Sequence, residues 1–145
     1  LAMSFFNRAL VYNETNRPMQ SLSDLDRVIQ LDSTSSITYF NRAIIRSRVG
    51  DYNRALDDYN KVAEYSPENV LVYYNRALLY QQLGEIERAK ADYTKAIEEL
   101  EAIAAKVEDP TTGIGDMDGY MKRSQELVEA CRAYLRGARE SLLEQ

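Results

Sequence analysis

The sequence predicts an all-α fold of three helix-turn-helix repeats, and a recurring tripeptide is the first observation that predicts it. Asn-Arg-Ala occurs at positions 7–9, 41–43 and 75–77, so the interval is 34 residues each time. An aromatic residue stands two positions before each tripeptide, at Phe5, Tyr39 and Tyr73. A third column holds residues that tolerate a positive φ in a turn: Asn16, Gly50 and Gly84. A period of this length is typical of helix pairs that bury their apolar faces by stacking.

The helices can be placed in order along repeats 2–35, 36–69 and 70–103. We predict them at 3–15, 18–31, 37–49, 52–65, 69–83 and 86–106. Pro18 suits the first turn of the second helix, where a missing N–H costs nothing, and Pro67 ends the fourth. Asp51 is predicted to cap the fourth helix, and Ser35 or Ser36 the third. No helix-breaking residue follows the sixth helix as Pro67 follows the fourth. The sixth helix is therefore expected to be longer than the others.

Aligned small and large residues predict how the two helices of a repeat pack. Two small columns allow close approach: Ala9, Ala43 and Ala77 in the first helices, and Ser21, Ala55 and Ala89 in the second. Large residues fill the space beside them at Leu25, Tyr59 and Tyr93, followed by Val28, Val62 and Ala96. We expect these columns to form the core.

The C-terminal part of the chain departs from the repeat pattern. Residues 108–119 contain a proline and three glycines, which predicts a loop. A long helix from about 119 to 143 follows, with a one-sided apolar stripe that includes Leu127, Val128, Cys131, Tyr134 and Leu135. Because the last repeat leaves an apolar face uncovered, we interpret this helix as its cap. Residues 1–145 are expected to form a single domain.

This set of columns resembles the tetratricopeptide repeat. The second repeat carries the family's residues at Tyr39, Ala43, Gly50, Ala55, Tyr59, Val62 and Pro67. The third matches at Tyr73, Ala77, Tyr80, Gly84, Ala89, Tyr93 and Ala96, and the first at Phe5, Ala9, Tyr12, Asn16, Ser21, Leu25 and Val28. The sequence departs from the family where Arg8, Arg42 and Arg76 replace a leucine. The resemblance implies an α-α superhelix of three repeats, and the C-terminal helix is interpreted as its cap.

The resemblance also implies a binding surface, because in this family the first helix of each repeat lines a concave groove. The predicted groove residues are Phe6, Asn7, Leu10, Phe40, Asn41, Ile44, Arg48, Tyr74, Asn75, Leu78 and Gln82. Their aromatic members form one row and their asparagines another. An asparagine amide offers donors and an acceptor that can hold a peptide backbone, beside aromatic rings for side chains. The chain is therefore predicted to bind a protein or peptide as an interaction module.

Other interpretations of these residues stay open. The asparagines can instead serve repeat geometry, and the C-terminal helix can cover the groove. The alternative function is a structural or self-assembly module of a larger protein, which allows a homo-oligomer. Chaperone-binding members hold a terminal carboxylate with two Lys, two Asn and an Arg. The corresponding residues here are Phe6, Leu10, Asn41, Leu71 and Asn75, and only Asn41 matches.

Two charged columns recur with the same spacing. Arginine occupies one at positions 8, 42 and 76, and aspartate the other at positions 24, 58 and 92. Identical spacing predicts that each arginine pairs with the aspartate of its own repeat. A site for phosphate or an acidic ligand is the alternative, but the neighbouring carboxylates would disfavour an anion.

Composition argues against several other functions. The chain has no histidine and one cysteine, which excludes imidazole catalysis and an internal disulfide, so we expect no enzyme. In the predicted loop at 108–119, the glycines lack the spacing of a dinucleotide-binding motif and the acidic residues lack the spacing of a calcium-binding loop. We therefore expect no metal or cofactor. A formal net charge of −5 disfavours nucleic acid. No apolar run approaches the length of a membrane span, so no membrane insertion is expected. The sequence does not assign a compartment.

Overall fold

The helix boundaries follow the turn residues of the sequence. The computed structural model describes the backbone of residues 1–107 and 117–143, and the side chains of residues 1–105 and 122–137. The helices are α1 (Ala2–Glu14), α2 (Pro18–Leu31), α3 (Ser36–Arg48), α4 (Tyr52–Tyr65), α5 (Val70–Gln82), α6 (Ile86–Val107) and α7 (Met117–Leu143). The first six begin and end within one residue of their predicted limits, and the described ranges contain no strand. The all-α prediction is therefore confirmed.

The turn between the helices of each repeat has the same left-handed geometry. Asn16, Gly50 and Gly84 have φ values of 58°, 88° and 78°. The next residue donates its N–H to a carbonyl five positions back, as in Asp51 N to Arg46 O at 2.8 Å. This bond satisfies a carbonyl that the end of the first helix leaves unpaired. The predicted positive φ at these three turn positions is thus confirmed. Asparagine can stand in place of glycine at position 16 because it tolerates the left-handed conformation.

The predicted N-caps occupy their positions without making capping bonds. Asp51 precedes α4 and Ser35 precedes α3, but neither side chain bonds a backbone N–H of its helix. The Asp51 carboxylate lies 3.8 Å from Arg54 Nε instead, and Ser35 Oγ pairs with Thr38 Oγ1 at 2.7 Å. The prediction of side-chain capping was wrong, because these side chains take nearby side-chain partners.

One compact unit spans Leu1–Val72 and contains α1 to α4 with the first residues of α5. In this unit α1 packs on α2, α3 on α4, and α2 on α3. Ala9, Leu25 and Ile45 form a buried cluster, against which Phe6 and Leu22 pack. Ser21 belongs to the small column, and its buried hydroxyl donates to the Ala9 carbonyl at 2.8 Å. The small residues therefore bring α1 and α2 into direct contact, as the sequence predicts.

A second compact unit spans Tyr73–Gln145 and contains the rest of α5, α6 and α7. Helix α6 has 22 residues, whereas α2 and α4 have 14 each, which confirms that it runs long. Within this unit α7 packs on α6. The buried residues include Ala77, Ala89, Tyr93, Ala96, Leu100 and Cys131. The single-domain organisation of residues 1–145 stays a prediction.

The predicted loop at 108–119 falls largely on residues 108–116, which lie outside the described residues. Helix α7 begins at Met117, two residues before the predicted start near 119. In the part of the chain that the structure describes, no helix is both long and apolar enough to span a membrane.

Candidate functional site

The first helices of the first two repeats lie side by side in the unit Leu1–Val72. Arg48 Nη1 of α3 donates to Asn13 Oδ1 of α1 at 2.8 Å. Phe6 of α1 packs against the buried cluster that contains Ile45 of α3. These contacts bring α1 and α3 close together, and we call the surface predicted from the groove residues of these two helices the α1/α3 face. It carries Phe6, Asn7, Leu10, Phe40, Asn41, Ile44 and Arg48.

The aromatic row is only half exposed, because each ring also packs inside its own helix pair. Phe40 meets the ring of Tyr59 edge-on, with centroids 6.2 Å apart. Phe6 packs against the buried cluster that contains Leu25, the residue in the same column as Tyr59. Edge-to-face packing of this kind stabilises the pair beyond the burial of area. The rings therefore support the fold and present only part of their surface to a ligand.

The asparagines differ in their surroundings. Asn7 is exposed, whereas Asn41 is half-buried and donates from Nδ2 to the carbonyl of Ile37 at 2.8 Å. This bond to the preceding turn fixes the orientation of the Asn41 amide. Leu10 and Ile44 are half-buried between the rows. Arg48 is exposed and already engaged with Asn13.

A cavity of about 320 Å³ opens beside Phe6 at one end of the α1/α3 face. Three helices line it, and the lining residues are Ala2, Met3, Phe6, Val28, Asp32, Ser35, Ile37 and Thr38. Met3 is 70% exposed and Ile37 is 60% exposed at its rim. The groove predicted from the sequence did not include Met3 and Ile37. Sequence reasoning also missed Val28 and Thr38, because no single helix contains the cavity.

The predicted residues of the third repeat lie on α5 in the unit Tyr73–Gln145. Tyr74 is half-buried and meets Tyr93 edge-on at 6.0 Å, which repeats the geometry of the second repeat. Asn75 is half-buried, Leu78 is 43% exposed, and Gln82 is exposed. Their membership of a binding site stays a prediction.

Each repeat joins its two helices through an arginine–aspartate pair. Arg42 donates from Nε and Nη2 to the two carboxylate oxygens of Asp58 at 2.9 and 2.8 Å. The same two-point geometry recurs between Arg8 and Asp24 and between Arg76 and Asp92, with all distances at 2.7–2.8 Å. The predicted pairing is confirmed. Because each arginine holds a carboxylate of its own repeat, the columns do not form a phosphate site.

The second repeat contains a larger charge network than the sequence suggested. Arg46 Nη1 donates to Asp58 Oδ2 at 2.8 Å, and Arg42 Nη1 donates to Asp26 of α2 at 2.9 Å. Arg46 stands where the family has an aromatic residue and is four positions from Arg42, on the same helix face. That spacing was a signal for its role. Asp58 thus has two arginine partners, and Arg42 has two aspartate partners.

The paired carboxylates raise the pKa of Arg8, Arg42 and Arg76. For Arg42, burial is the largest single influence and lowers the pKa, but the bonds and charges of Asp58 and Asp26 together outweigh it. For Arg76, the hydrogen bond that it donates to Asp92 is the largest influence and raises the pKa despite burial. The arginines stay charged at any ordinary pH, so the network is a permanent ionic link.

The described residues contain no cluster of carboxylates or thiol that has the spacing of a metal site. The thiol of Cys131 is fully buried on α7, and burial raises its pKa to about 11. A neutral, enclosed thiol lacks the electropositive and partly open setting of a nucleophile. Cys131 therefore packs as a small apolar residue.

The raised pKa of Cys131 predicts that stability falls in alkaline solution. An unfolded thiol has a pKa of about 8.5, so the folded state favours the neutral form. The stability that the buried neutral thiol contributes is fully present below about pH 8.5. It is lost as the pH rises through the pKa that Cys131 has in the folded state. Burial also raises the pKa of Tyr93, which acts in the same direction. We expect chemical denaturation to show a declining free energy of unfolding from about pH 8.5 upward.

Cys131→Ala is the control for this prediction, because it should remove part of the alkaline slope. A rapid reaction of the native thiol with a disulfide reagent at mildly alkaline pH would contradict the burial on which the prediction rests.

The comparisons with known proteins agree with the residue columns. A family model described as TPR repeat matches residues 48–84, and one described as tetratricopeptide repeat matches residues 70–100. No curated protein sequence matches the chain. Among solved structures, the chain is similar to SycD, the type III secretion translocator chaperone of Yersinia enterocolitica. The TM-score is 0.70 at 16% identity, and the match covers 91% of this chain and 92% of that chain.

Two further structures of similar fold contain a bound peptide. One is Yersinia enterocolitica SycD with a peptide of the translocator YopD, with a TM-score of 0.69 at 15% identity over 90% of this chain and 92% of that chain. The other is the first TPR of Spaghetti (RPAP3) with an HSP90 peptide, with a TM-score of 0.65 at 16% identity over 89% and 91%. Identities this low show the fold alone. The two family models show that residues 48–100 of this chain consist of tetratricopeptide repeats.

Proposed function

We propose that the chain is a protein-interaction module that binds a peptide or partner helix on the α1/α3 face. The cavity beside Phe6 carries this proposal. It combines a concave shape with large apolar side chains that are exposed at its rim, which is the usual character of a site that accepts an apolar group. The peptide complexes of SycD and of Spaghetti (RPAP3), which share the fold, support an interaction role for this chain.

The cavity accounts for the apolar part of the interaction. Met3 and Ile37 are more than half exposed, and both border the same opening of about 320 Å³. Closing such a surface with a ligand side chain removes apolar area from water, at about 25 cal/mol per Å². An aliphatic or aromatic residue of the partner is the group that fits there.

The asparagines account for the polar part. Asn7 is exposed, and Asn41 is held in one orientation by its bond to Ile37 O. A fixed amide loses little freedom when it binds a peptide group. Neither Phe6 nor Leu10 supplies the positive charge with which family members hold a terminal carboxylate. We therefore propose an internal, apolar segment of a partner as the ligand, in preference to an acidic C-terminal tail.

A random-peptide selection with residues 1–145 as bait tests the proposal. A selected peptide is then titrated against Met3→Glu and Ile37→Glu variants by calorimetry. Each carboxylate would lie at the mouth of the cavity, so we expect affinity to fall about tenfold or more. Asn41→Ala is expected to weaken binding severalfold, because about 0.5–1.5 kcal/mol is typical of one hydrogen bond.

Met19→Glu is the matched control. Met19 is 67% exposed on α2 and does not line the cavity, so its replacement makes the same chemical change elsewhere. Binding by Met19→Glu should equal that of the wild type. If Met3→Glu and Ile37→Glu also bind normally, with unchanged circular dichroism, the ligand does not use the α1/α3 face.

A further inference from the structure

A carboxylate forms part of the wall of the cavity of about 320 Å³ at the end of the α1/α3 face. Asp32 follows the last residue of α2, and it lines this cavity together with the apolar side chains of Met3 and Ile37. The other polar side chains of the lining are those of Ser35 and Thr38, and no lysine or arginine belongs to its described residues. The cavity thus has an apolar side and a side that offers oxygen atoms and one negative charge.

The end of α2 fixes the orientation of this carboxylate. The N–H of Asp32 donates to the carbonyl of Val28 at 2.7 Å, and the backbone of Asp32 is extended. Its Oδ1 accepts hydrogen bonds from the backbone N–H of Thr34 at 3.2 Å and from the hydroxyl of Thr34 at 3.0 Å. Because both bonds use the same oxygen, Oδ2 keeps its capacity for a further donor within the described part of the chain. A carboxylate that is already held in place loses little freedom when it binds a cation.

The repeat itself does not require an acid at this position. One interval later the equivalent residue is Ser66, whose hydroxyl donates to Ser36 Oγ at 3.0 Å. The aspartates of the arginine–aspartate pairs, by contrast, recur at every interval, and each binds an arginine. Among the described residues, the bonded partner of the Asp32 carboxylate is the uncharged Thr34. The negative charge of Asp32 therefore has no cation bound to it in this part of the chain.

We propose that the partner segment on the α1/α3 face carries a lysine or arginine beside the apolar residue that enters the cavity, and that this cation binds Asp32. This preference depends on the peptide site proposed above. A lysine or arginine joins an apolar stem to a charged head, so the stem can cover the exposed rim while the head donates to the carboxylate. The site thus selects a charge opposite to that of an acidic tail.

The size of the cavity limits the spacing of the two partner residues. Asp32 and the exposed rim residues Met3 and Ile37 border one opening, so the apolar group and the cation must lie on the same face of the segment. In an extended segment, residues two positions apart lie on one face, about 7 Å apart. In a helix, residues three or four positions apart do so, at about 5–6 Å. We therefore expect the basic residue within about four positions of the apolar one.

Parallel random-peptide selections with the wild type and with Asp32→Asn as baits test this preference. Asparagine keeps an oxygen that can accept from Thr34 and removes the charge, so the end of α2 should stay intact. We expect peptides selected on the wild type to carry Lys or Arg near a large apolar residue, and peptides selected on Asp32→Asn to lack this enrichment. Asp57→Asn is the matched control, because it removes the same charge at an exposed position of α4 and should select the same peptides as the wild type.

A peptide selected on the wild type is then synthesised beside a matched peptide with glutamine in place of its basic residue, and both are titrated by calorimetry. We expect the wild type to bind the basic peptide about tenfold more tightly, and Asp32→Asn to bind the two peptides with similar affinity. Higher salt should weaken the binding of the basic peptide to the wild type more than to Asp32→Asn. Ile37→Asn adds no charge and should weaken both peptides alike, because it removes apolar surface from the mouth of the cavity.

Failure of the charge preference and failure of the peptide site give different results. Equal affinity of the wild type for the two peptides, or an unchanged preference in Asp32→Asn, would overturn the charge preference while Ile37→Asn still weakened binding. Selection of no peptide by the wild type, or normal binding of both peptides by Ile37→Asn, would contradict the peptide site as well. Light scattering that shows a dimer dissolved by Asp32→Asn would also overturn the proposal, because a second copy of the chain would then occupy the cavity.

Discussion

Replacement of Asp58 by alanine is expected to lower the free energy of unfolding by about 3 kcal/mol or more. Asp58 is 2% exposed and accepts bonds from both Arg42 and Arg46. Its removal leaves Arg46 without that carboxylate, in a setting where its side chain is 16% exposed. Because the stability of a domain is typically about 5–15 kcal/mol, this single change would consume a large part of it.

The adjacent residue offers a matched control. Asp57→Ala removes the same charge from the same helix turn at an exposed position, and substitutions there usually change stability by about 0.5 kcal/mol or less. Thermal and urea unfolding of both variants measure the difference. Equal melting temperatures for Asp58→Ala and Asp57→Ala would show that the buried network does not stabilise the fold.

Removal of α7 by truncation after residue 106 is expected to cause aggregation or a loss of several kcal/mol in stability. Tyr134 packs against Tyr93 with ring centroids 4.6 Å apart and planes tilted by 42°, and Cys131 is fully buried. Leu127, Val128 and Leu135 are half-buried on the same helix. Each large apolar side chain that is fully buried contributes about 1.5–3 kcal/mol, so truncation would expose α6 at a substantial cost.

Two point variants separate packing from mere shortening of the chain. Tyr134→Ala removes the ring that contacts Tyr93 and should lower the melting temperature. Arg136→Ala changes an exposed residue of α7 whose partner, Glu129, lies on the same helix, and its effect should be small. Size-exclusion chromatography with light scattering reports aggregation. A truncated chain that stays monomeric and melts normally would contradict the role of α7 as a cap.

The sequence alone determined the features that depend on local spacing. Helix limits follow from turn residues, because a positive φ at Asn16 or Gly50 ends a helix wherever it occurs. The core columns and the arginine–aspartate pairs follow from the repeat, because an identical spacing places equivalent side chains in equivalent positions. These predictions needed no knowledge of which helices are neighbours within a unit.

Only the tertiary structure decided what covers each helix face. Arg8 and Arg42 occupy the same column, yet one side chain is 56% exposed and the other 14%, because α2 packs on α3 and its Asp26 meets Arg42. The cavity beside Phe6 arises from three helices, and the partners of Asp51 and Ser35 were side chains that the cap pattern does not specify. Periodicity fixes the direction of a side chain along its own helix, whereas burial and hydrogen-bond partners depend on distances between helices.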